Sequence, residues 1–187
     1  MADSRKLVPF IKRWEGGYVN DPYDKGGETN MGITIGTWRQ AGYDCSVKYP
    51  QITVKNHRGQ LVTYKNVTKS LYEMTEDQWH RIFKNMYWDR WRADEIASQP
   101  VAHILVDWIW ASGVWGIKIP QRLLGVKDDG IVGPKTIGAV NACNPRELFT
   151  LIFNARVQYI NDICRKTPTN ERFRKGWMNR LNGVKFE

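Results

Sequence analysis

The chain opens with four apolar residues at helical spacing. They are Leu7, Val8, Ile11 and Trp14. Because side chains three or four positions apart share one face of a helix, this spacing predicts a helix from Ser4 to Trp14. Ser4 is the expected N-cap, since its hydroxyl can accept a hydrogen bond from the first turn. Gly16 and Gly17 are expected to end the helix.

The pattern that follows predicts a small β element. Residues 18–34 are rich in Gly, Asn, Asp and Pro, a composition that is typical of turns with short strands between them. A short helix is expected over residues 35–40. Apolar and polar residues then alternate on both sides of the turn-forming residues 56–59, and this alternation predicts a β-hairpin.

The remainder of the chain predicts helices. Thr75 and Gln78 have the spacing of a capping box, which predicts a helix that runs to about Tyr87. The apolar residues 101–111 lie between a proline and a glycine and predict a buried central helix. Further helices are expected at residues 121–124, 134–142, 145–165 and 170–181. The predicted fold class is therefore α+β, mainly α, with a small β-hairpin element in the N-terminal third.

Composition argues against several classes of protein. Hydrophobic residues make up 42% of the 187 residues and charged residues 25%, which is an ordinary globular balance. No stretch approaches the roughly 20 apolar residues that cross a bilayer, so no integral membrane segment is expected. The three cysteines and three histidines are widely spaced, unlike a disulfide framework or a tetrahedral zinc site. Neither a metal nor a cofactor is expected.

The charge of the chain points to an anionic polymer as partner. There are 28 Lys and Arg residues against 19 Asp and Glu residues, which gives a net charge of +9. Basic residues are concentrated after Cys164, where they number seven. Nucleic acid, anionic lipid and bacterial cell wall all fit this charge, so charge alone does not choose among them.

The first candidate for chemistry is Glu15, at the predicted end of the first helix. The negative end of the helix dipole disfavours a carboxylate there, and Trp14 and Tyr18 are close enough in sequence to desolvate it. Such a carboxyl group is suited to general acid catalysis. The alternative is a solvated glutamate at a frayed helix end.

Asp21 and Asp24 follow in a loop that contains glycine and proline. Carboxylates in such loops are usually turn formers that bond their own backbone. The pair does not predict calcium, because Pro22 interrupts the alternation of oxygen ligands and no bidentate glutamate follows at the required distance. The hydroxyl groups of Thr29 and Thr34 come next. Two carboxyl groups facing each other across a cleft are the minimum needed to cleave a glycosidic bond.

A longer motif joins these residues. Residues 14–34 read Trp14-Glu-Gly-Gly-Tyr-Val-Asn-Asp-Pro-Tyr-Asp-Lys-Gly-Gly-Glu-Thr-Asn-Met-Gly-Ile-Thr34. This segment closely resembles the opening motif of glycoside hydrolase family 108, a family of lysozyme-like N-acetylmuramidases found as phage endolysins and as secretion activator proteins. The resemblance implies that Glu15 is the catalytic glutamate.

A weaker resemblance is to phage lysozymes of glycoside hydrolase family 24. Their pattern is Glu, eight residues, Asp, five residues, Thr. Glu15 and Asp24 keep the first spacing, whereas Thr29 comes one residue early. Thr29 and Thr34 are therefore both candidates for positioning water, and Asp21 is an alternative to Asp24 as the second carboxylate.

The second half of the chain, from about Tyr87 to Val184, resembles the predicted peptidoglycan-binding region that accompanies this family. The matching segments are residues 106–113, 121–126, 129–136 and 176–180. Many relatives carry Asn where this chain has Ala111, so any sugar contact of that amide is absent here. The resemblance implies a catalytic region over residues 1–90 and a helical peptidoglycan-binding lobe over residues 91–187, packed together in one lysozyme-like domain.

The predicted function is that of an N-acetylmuramidase that cleaves the β-1,4 bond between N-acetylmuramic acid and N-acetylglucosamine in bacterial peptidoglycan. Glu15 is the proton donor, Asp24 the second carboxylate, and Thr29 or Thr34 orients water. The residues expected to contact substrate are Tyr18, Asp21, Asp107, Gln121 and Tyr159. Since Asp107 lies within an apolar helix, it is expected either to pair with a buried donor such as Arg156 or to face the cleft.

Three alternative functions remain open at this stage. A lytic transglycosylase needs one glutamic acid but no second carboxylate, and a non-catalytic protein could bind peptidoglycan and assist secretion. A nucleic-acid binder is favoured only by charge and has no helix-turn-helix or zinc spacing in its support. We expect a monomer that does not bind nucleic acid. No signal peptide is evident at the N-terminus, so synthesis in the cytoplasm is expected, followed by release to the wall through a holin or a secretion-linked route.

Overall fold

The structure is a computed structural model that describes residues 1–20, 27–56 and 59–187. The chain forms two compact units. The β-containing unit consists of Val8–Phe83, and the helical unit combines Met1–Leu7 with Lys84–Glu187. The predicted α+β, mainly α fold class is confirmed, because short antiparallel strand pairs accompany a majority of helices. The predicted division at residue 90 stays a prediction.

The β-containing unit holds short helices and two strand pairs. Its helices are α1 (Val8–Trp14), α2 (Ile35–Gln40), α3 (Lys69–Tyr72) and α4 (Glu76–Phe83). Its strands are β1 (Thr29–Asn30), β2 (Ile33–Thr34), β3 (Lys48–Lys55) and β4 (Leu61–Thr68). Strand β1 pairs with β2 and β3 pairs with β4, both antiparallel. The predicted hairpin is therefore confirmed, with strands of eight residues each.

The β1–β2 pair turns through only two residues, Met31 and Gly32. Both have a positive φ, 46° and 79° respectively. A two-residue hairpin of this kind matches the twist of its strands only when both turn residues adopt the left-handed region, which glycine does most easily. The carbonyl of Met31 accepts a hydrogen bond from the indole of Trp79 at 2.9 Å, so α4 helps to hold the turn.

The first helix differs from the prediction at its start. A 3₁₀ turn, Ser4–Lys6, precedes α1, and the N-cap is Asp3, whose carboxylate accepts from the backbone N–H of Arg5 at 2.9 Å. The prediction that Ser4 is the N-cap is therefore wrong, and the Ser4 side chain is buried instead. The carboxylate one residue earlier therefore takes the capping position.

The helical unit contains the five longer elements and several single turns. Its helices are α5 (Gln99–Ser112), α6 (Trp115–Leu123), α7 (Pro134–Ala142), α8 (Pro145–Lys166) and α9 (Glu171–Gly183). Besides Ser4–Lys6, its turns are the π-helical Lys84–Trp88 and the 3₁₀ segments Asp89–Trp91, Ala93–Glu95 and Pro168–Asn170. The prediction that residues 101–111 form the buried centre is confirmed, since most of α5 is buried and it packs against α6 and α8. No helix in the described part of the chain is long and apolar enough to span a bilayer.

Helix α6 is longer than the predicted residues 121–124 and begins at Trp115. Gly116 and Pro120 are poor helix formers, so the sequence does not predict a helix over the first turns of α6. Tertiary packing explains why a helix forms there. A Cβ atom on Gly116 would lie 2.4 Å from the backbone nitrogen of Ile109, so α6 crosses α5 with the two backbones in direct contact.

Candidate functional site

Glu15 lies directly after α1, at the C-terminal end of that helix. Its backbone N–H donates to the carbonyl of Lys12 at 3.2 Å, which continues the last turn by one residue. Its side chain is half-buried. The neighbouring indole N–H of Trp14 is buried and has no hydrogen-bond partner among the residues that the structure describes. Glu15 thus occupies the helix-end position predicted for it, while its catalytic role stays a prediction.

Asp21 and Asp24, the two candidates for the second carboxylate, lie outside the described residues. Their pairing with Glu15 therefore stays a prediction. The described residues continue at Gly27, two positions before β1.

The register of the β1–β2 pair places Thr29 directly opposite Thr34. Thr29 exchanges both of its backbone hydrogen bonds with Val19, each at 2.8 Å. It faces Thr34 without backbone hydrogen bonds, which is the type of antiparallel pair whose side chains come closest. Both threonines therefore lie on one face of the same short hairpin.

Their hydroxyl groups differ in what they already bind. The Thr34 hydroxyl is the N-cap of α2: it accepts from the backbone N–H of Thr37 at 3.2 Å and bonds the Thr37 hydroxyl at 3.1 Å. The Thr29 hydroxyl makes one weak bond, to the carbonyl of Gly27 at 3.5 Å. Both side chains are half-buried. Thr29 therefore has the hydroxyl that is less committed to the fold.

Sequence reasoning missed Glu28, a buried carboxylate beside these threonines. Its Oε1 accepts from the Lys48 ammonium and from the Thr68 hydroxyl, each at 2.8 Å. Its Oε2 accepts from the backbone N–H of Thr68 at 2.7 Å and from the Tyr18 hydroxyl at 3.0 Å. Burial by itself would raise the pKa of Glu28, but the hydrogen bonds from Lys48 and Thr68 outweigh it and hold that pKa below its ordinary value.

Glu28 connects the β1–β2 pair to the β3–β4 hairpin through hydrogen bonds. Lys48 and Thr68 are register partners at the base of the β3–β4 hairpin, and both contact the carboxylate that precedes β1. Asn30 makes a similar attachment, since its amide donates to the carbonyls of Leu71 at 2.8 Å and Tyr72 at 3.1 Å. No local signal marks Glu28, because its charged partner lies 20 residues away and its buried backbone partner 40.

Tyr18, predicted to contact substrate, belongs to this buried cluster. Its side chain is 7% exposed, and its ring lies edge-on to Tyr64 and Tyr72 at centroid distances of 5.4 and 5.5 Å. Burial, together with the hydrogen bond to Glu28, raises the pKa of Tyr18 well above its usual range. Its hydroxyl is therefore a neutral donor whose proton is already engaged.

In the helical unit, Asp107 is fully buried between two arginines. Its Oδ2 accepts from Nη1 of Arg156 at 3.0 Å, and its Oδ1 accepts from Nη2 and Nε of Arg180 at 2.8 and 3.1 Å. Burial would raise the pKa of Asp107, but the two guanidinium groups hold it below its usual value. The expected pairing with Arg156 is confirmed. A direct contact between Asp107 and substrate would require the arginines to leave.

Arg180 was grouped with the basic C-terminal residues in the sequence, yet its side chain is only 13% exposed. It belongs to a buried ion cluster formed by Asp107, Arg156 and Arg180. His103 lies one turn before Asp107 on α5, and burial lowers its pKa to about 4. It therefore adds no positive charge to the cluster at neutral pH.

Gln121 and Tyr159, also predicted to contact substrate, have different surroundings. Gln121 is buried and holds the turn after α6: its amide donates to the carbonyl of Ile131 at 3.0 Å and accepts from the N–H of Gly130 at 2.9 Å. Tyr159 is half-buried and lies edge-on to Trp108, with ring centroids 6.0 Å apart.

Tyr159 lines a cavity of about 140 Å³ between α5, α8 and α9. The same cavity is lined by Arg156 and Arg180, the two cationic members of the ion cluster, and by the indole rings of Trp108 and Trp177. The structure thus brings Tyr159 together with the partners of Asp107. No group of metal-ligating side chains occurs among the described residues.

Comparisons with known proteins agree with the motif noted above. The family model described as glycosyl hydrolase 108 matches residues 8–113, and the model described as predicted peptidoglycan domain matches residues 115–182. A solved structure, that of Brucella abortus SagA, matches with a TM-score of 0.72 and 28% identity, over 97% of this chain and 90% of that chain. No curated protein matches significantly. The resemblance inferred from residues 14–34 is confirmed, and the similarity of structure is consistent with the predicted lysozyme-like fold.

Proposed function

Since the chain belongs to the glycosyl hydrolase 108 family, we propose that it is an N-acetylmuramidase that hydrolyses the β-1,4 bond between N-acetylmuramic acid and N-acetylglucosamine in peptidoglycan. The family match makes the chain a glycoside hydrolase, and the second match adds a peptidoglycan domain. Which bond is cleaved, and by which residues, is our proposal.

The observation that carries it is the position of Glu15. This carboxyl group lies at the end of α1, within the segment that matches the family, and its side chain is half-buried. We assign it the role of proton donor to the oxygen of the leaving sugar. That proton transfer allows the C–O bond to break without expelling an alkoxide, a contribution of about 10²–10⁴-fold to the rate.

Asp24 is the second carboxylate in this proposal, with Asp21 as the alternative. It either supports the positive charge that develops at the anomeric carbon or takes a proton from the attacking water. We assign the positioning of that water to Thr29. The Thr34 hydroxyl is already used to cap α2, whereas that of Thr29 makes only a long bond to its own loop.

The test is turnover of purified peptidoglycan by the wild-type chain and by Glu15→Gln. The matched control is Glu147→Gln, which makes the same change at an exposed residue of the helical unit. We expect Glu15→Gln to lose at least about 100-fold in rate while its circular dichroism spectrum is unchanged. The control should retain wild-type activity. A folded Glu15→Gln protein with full activity would remove Glu15 from the mechanism.

Mass spectrometry of the fragments separates this proposal from a lytic transglycosylase. Hydrolysis releases reducing N-acetylmuramic acid ends, whereas a transglycosylase leaves 1,6-anhydromuramic ends. A wild-type chain that binds the wall but releases no fragments would instead support a non-catalytic role in binding or secretion.

We also propose that the chain is a monomer that reaches the wall after synthesis in the cytoplasm, through a holin or a secretion-linked route. Cell fractionation in strains with and without a holin distinguishes the two routes. Sedimentation measurements test the monomeric state.

A further inference from the structure

The cavity between α5, α8 and α9 has the composition of a site for a small anion with an apolar part. Three aromatic side chains line it, those of Trp108, Tyr159 and Trp177. Arg156 and Arg180 also line it, together with small and aliphatic residues of α5 and α8. Aromatic faces bind apolar or sugar carbon, and guanidinium groups bind carboxylates with two parallel hydrogen bonds.

Arg156 is the residue that points to a ligand. Its side chain is 5% exposed, yet both of its hydrogen bonds leave from Nη1, to Asp107 and to the carbonyl of Ile104. Within the described part of the chain, Nε and Nη2 donate to no acceptor. A guanidinium group has five N–H donors, and neither Nε nor Nη2 is among the fully buried described atoms that lack a partner, so both keep access to open space. Because Arg156 lines the cavity, an acceptor placed there can satisfy it.

Charge also favours an anion. The ion cluster contains one carboxylate, Asp107, and two guanidinium groups. His103 is uncharged at neutral pH, because burial lowers its pKa to about 4. Arg156 therefore shares its one carboxylate partner, Asp107, with a second guanidinium group, so its own charge is offset only in part. In a largely buried setting the remaining attraction is weakly screened, which favours an anion at Arg156.

The size of the cavity limits the ligand. A cavity of about 150 Å³ holds a molecule the size of benzene, with about six non-hydrogen atoms, and this one measures about 140 Å³. An entire amino sugar does not fit. A propanoate group that carries one substituent at its second carbon has six non-hydrogen atoms, and it combines a methyl group with a carboxylate.

We propose that this cavity is a subsite for a 2-substituted propanoate of peptidoglycan, whose carboxylate binds the Nε and Nη2 edge of Arg156 and whose methyl group lies against the aromatic rings. Two sources share this chemistry: the terminal alanine of a peptide stem, with nitrogen as the substituent, and the lactyl group of N-acetylmuramic acid without a peptide, with oxygen. The choice of peptidoglycan as the source rests on the proposed function. The remainder of the ligand stays outside the cavity.

Binding is tested with N-acetyl-D-alanine and with N-acetylmuramic acid, each compared with its uncharged carboxamide. Titrations followed by the indole N–H signals of the full-length protein, in the Glu15→Gln background, require no catalysis. We expect at least one acid to bind at least tenfold more tightly than its amide. Tighter binding of N-acetyl-D-alanine identifies the stem terminus, and tighter binding of N-acetylmuramic acid identifies the lactyl group.

Two variants test the position of the subsite. Ala111 is an exposed residue of α5 that lines the cavity, so Ala111→Phe fills the cavity while every residue of the ion cluster is kept. The control Leu151→Phe places the same ring at an exposed position of α8 outside the cavity. Arg156→Lys keeps a positive charge near Asp107 but removes the second edge. We expect Ala111→Phe to lose binding at least tenfold, Arg156→Lys to lose the preference for acid over amide, and Leu151→Phe to behave as wild type.

Equal affinity for acid and amide, or undiminished binding by Ala111→Phe, would overturn the subsite. A result in which neither acid binds would also overturn the subsite. These results are independent of hydrolysis, which is measured separately with the wild-type chain. A wild-type chain that cleaves peptidoglycan while neither acid binds would refute the subsite and leave the proposed function intact. Binding of the acids without cleavage of the wall would support the subsite and refute the proposed function.

Discussion

Replacing Glu28 by glutamine should weaken the β-containing unit in a pH-dependent way. The substitution keeps the shape of the side chain and removes its charge. Its oxygen can still accept from the N–H of Thr68 and from Tyr18, as Oε2 does now. On the other side, an NH₂ group would face the Lys48 ammonium, where Oε1 now accepts a charge-assisted hydrogen bond at 2.8 Å.

The expected loss of stability comes from the hydrogen bond between the Lys48 ammonium and Oε1 of Glu28. A hydrogen bond to a charged group contributes about 1.5–3 kcal/mol, so the free energy of unfolding should fall by about this amount at pH 7. The pKa of Glu28 is below its ordinary value in the folded chain, mainly because of the hydrogen bonds from Lys48 and Thr68. Its stabilisation is therefore present above the unfolded-state pKa of about 4.3 and disappears as the pH falls through the folded-state pKa.

The assay is urea unfolding of wild type and Glu28→Gln between pH 7 and pH 3, combined with hydrogen exchange of the Thr68 amide. The stability gap between the two proteins should narrow as the pH falls below the unfolded-state pKa, and the Thr68 amide should exchange faster in the variant at pH 7. The control Glu147→Gln, at an exposed position in the first turn of α8, should show a gap below about 1 kcal/mol, since it loses only the interaction of one carboxylate with the helix dipole. A gap for Glu28→Gln that is absent at pH 7, or that stays constant down to pH 3, refutes the reasoning.

Three further predictions concern other positions. Thr29→Val should reduce peptidoglycan hydrolysis at least about tenfold without changing the melting temperature. Thr34→Val should retain activity but lower stability by about 1 kcal/mol, because the N-cap of α2 is lost. The opposite result would transfer the water-positioning role to Thr34. Gly116→Ala should destabilise the chain by about 1–3 kcal/mol, because the new Cβ meets the α5 backbone, while Gly138→Ala, with open space around it, should be neutral or stabilising in the same denaturation assay. Asp107→Asn should cost about 3–5 kcal/mol, since it removes the buried carboxylate that pairs with both Arg156 and Arg180, and a melting temperature equal to wild type would contradict that account.

The elements that could be predicted from the sequence are those with local signals. The Thr75–Gln78 capping box is present in the structure, with reciprocal hydrogen bonds of 2.8 and 3.2 Å, and it opens α4 as predicted. Helix α7 has the predicted bounds, 134–142, because proline marks its start. Asn144 caps α8 through bonds to the N–H groups of Arg146 and Glu147. In each case the residues that start the helix are within three positions of one another.

What the sequence did not reveal depends on partners far along the chain. Glu28 reads as an ordinary loop acid until β3 and β4 bring Lys48 and Thr68 to it. Arg180 reads as part of a basic surface until α9 packs its side chain against Asp107, 73 residues earlier. The first turns of α6 form against propensity, because contact with α5 overrides it.

The same distinction applies to the candidate site. Glu15 could be predicted from a local motif, and its position after α1 agrees with it. The choice between Thr29 and Thr34 could not be predicted, since it depends on which hydroxyl caps the next helix. Tyr18 and Gln121 were predicted to meet substrate because of their motifs, yet each has a hydrogen bond that ties it to its own surroundings.

The ion cluster has a consequence for the order in which the chain acquires its structure during synthesis. Asp107 receives its second counter-charge from residue 180, so the interior of the helical unit is electrostatically incomplete until α9 has emerged from the ribosome. The β-containing unit ends at Phe83 and meets no such delay. A nascent chain should therefore protect the amides of β3 and β4 while α5 and α8 are still exchanging with water.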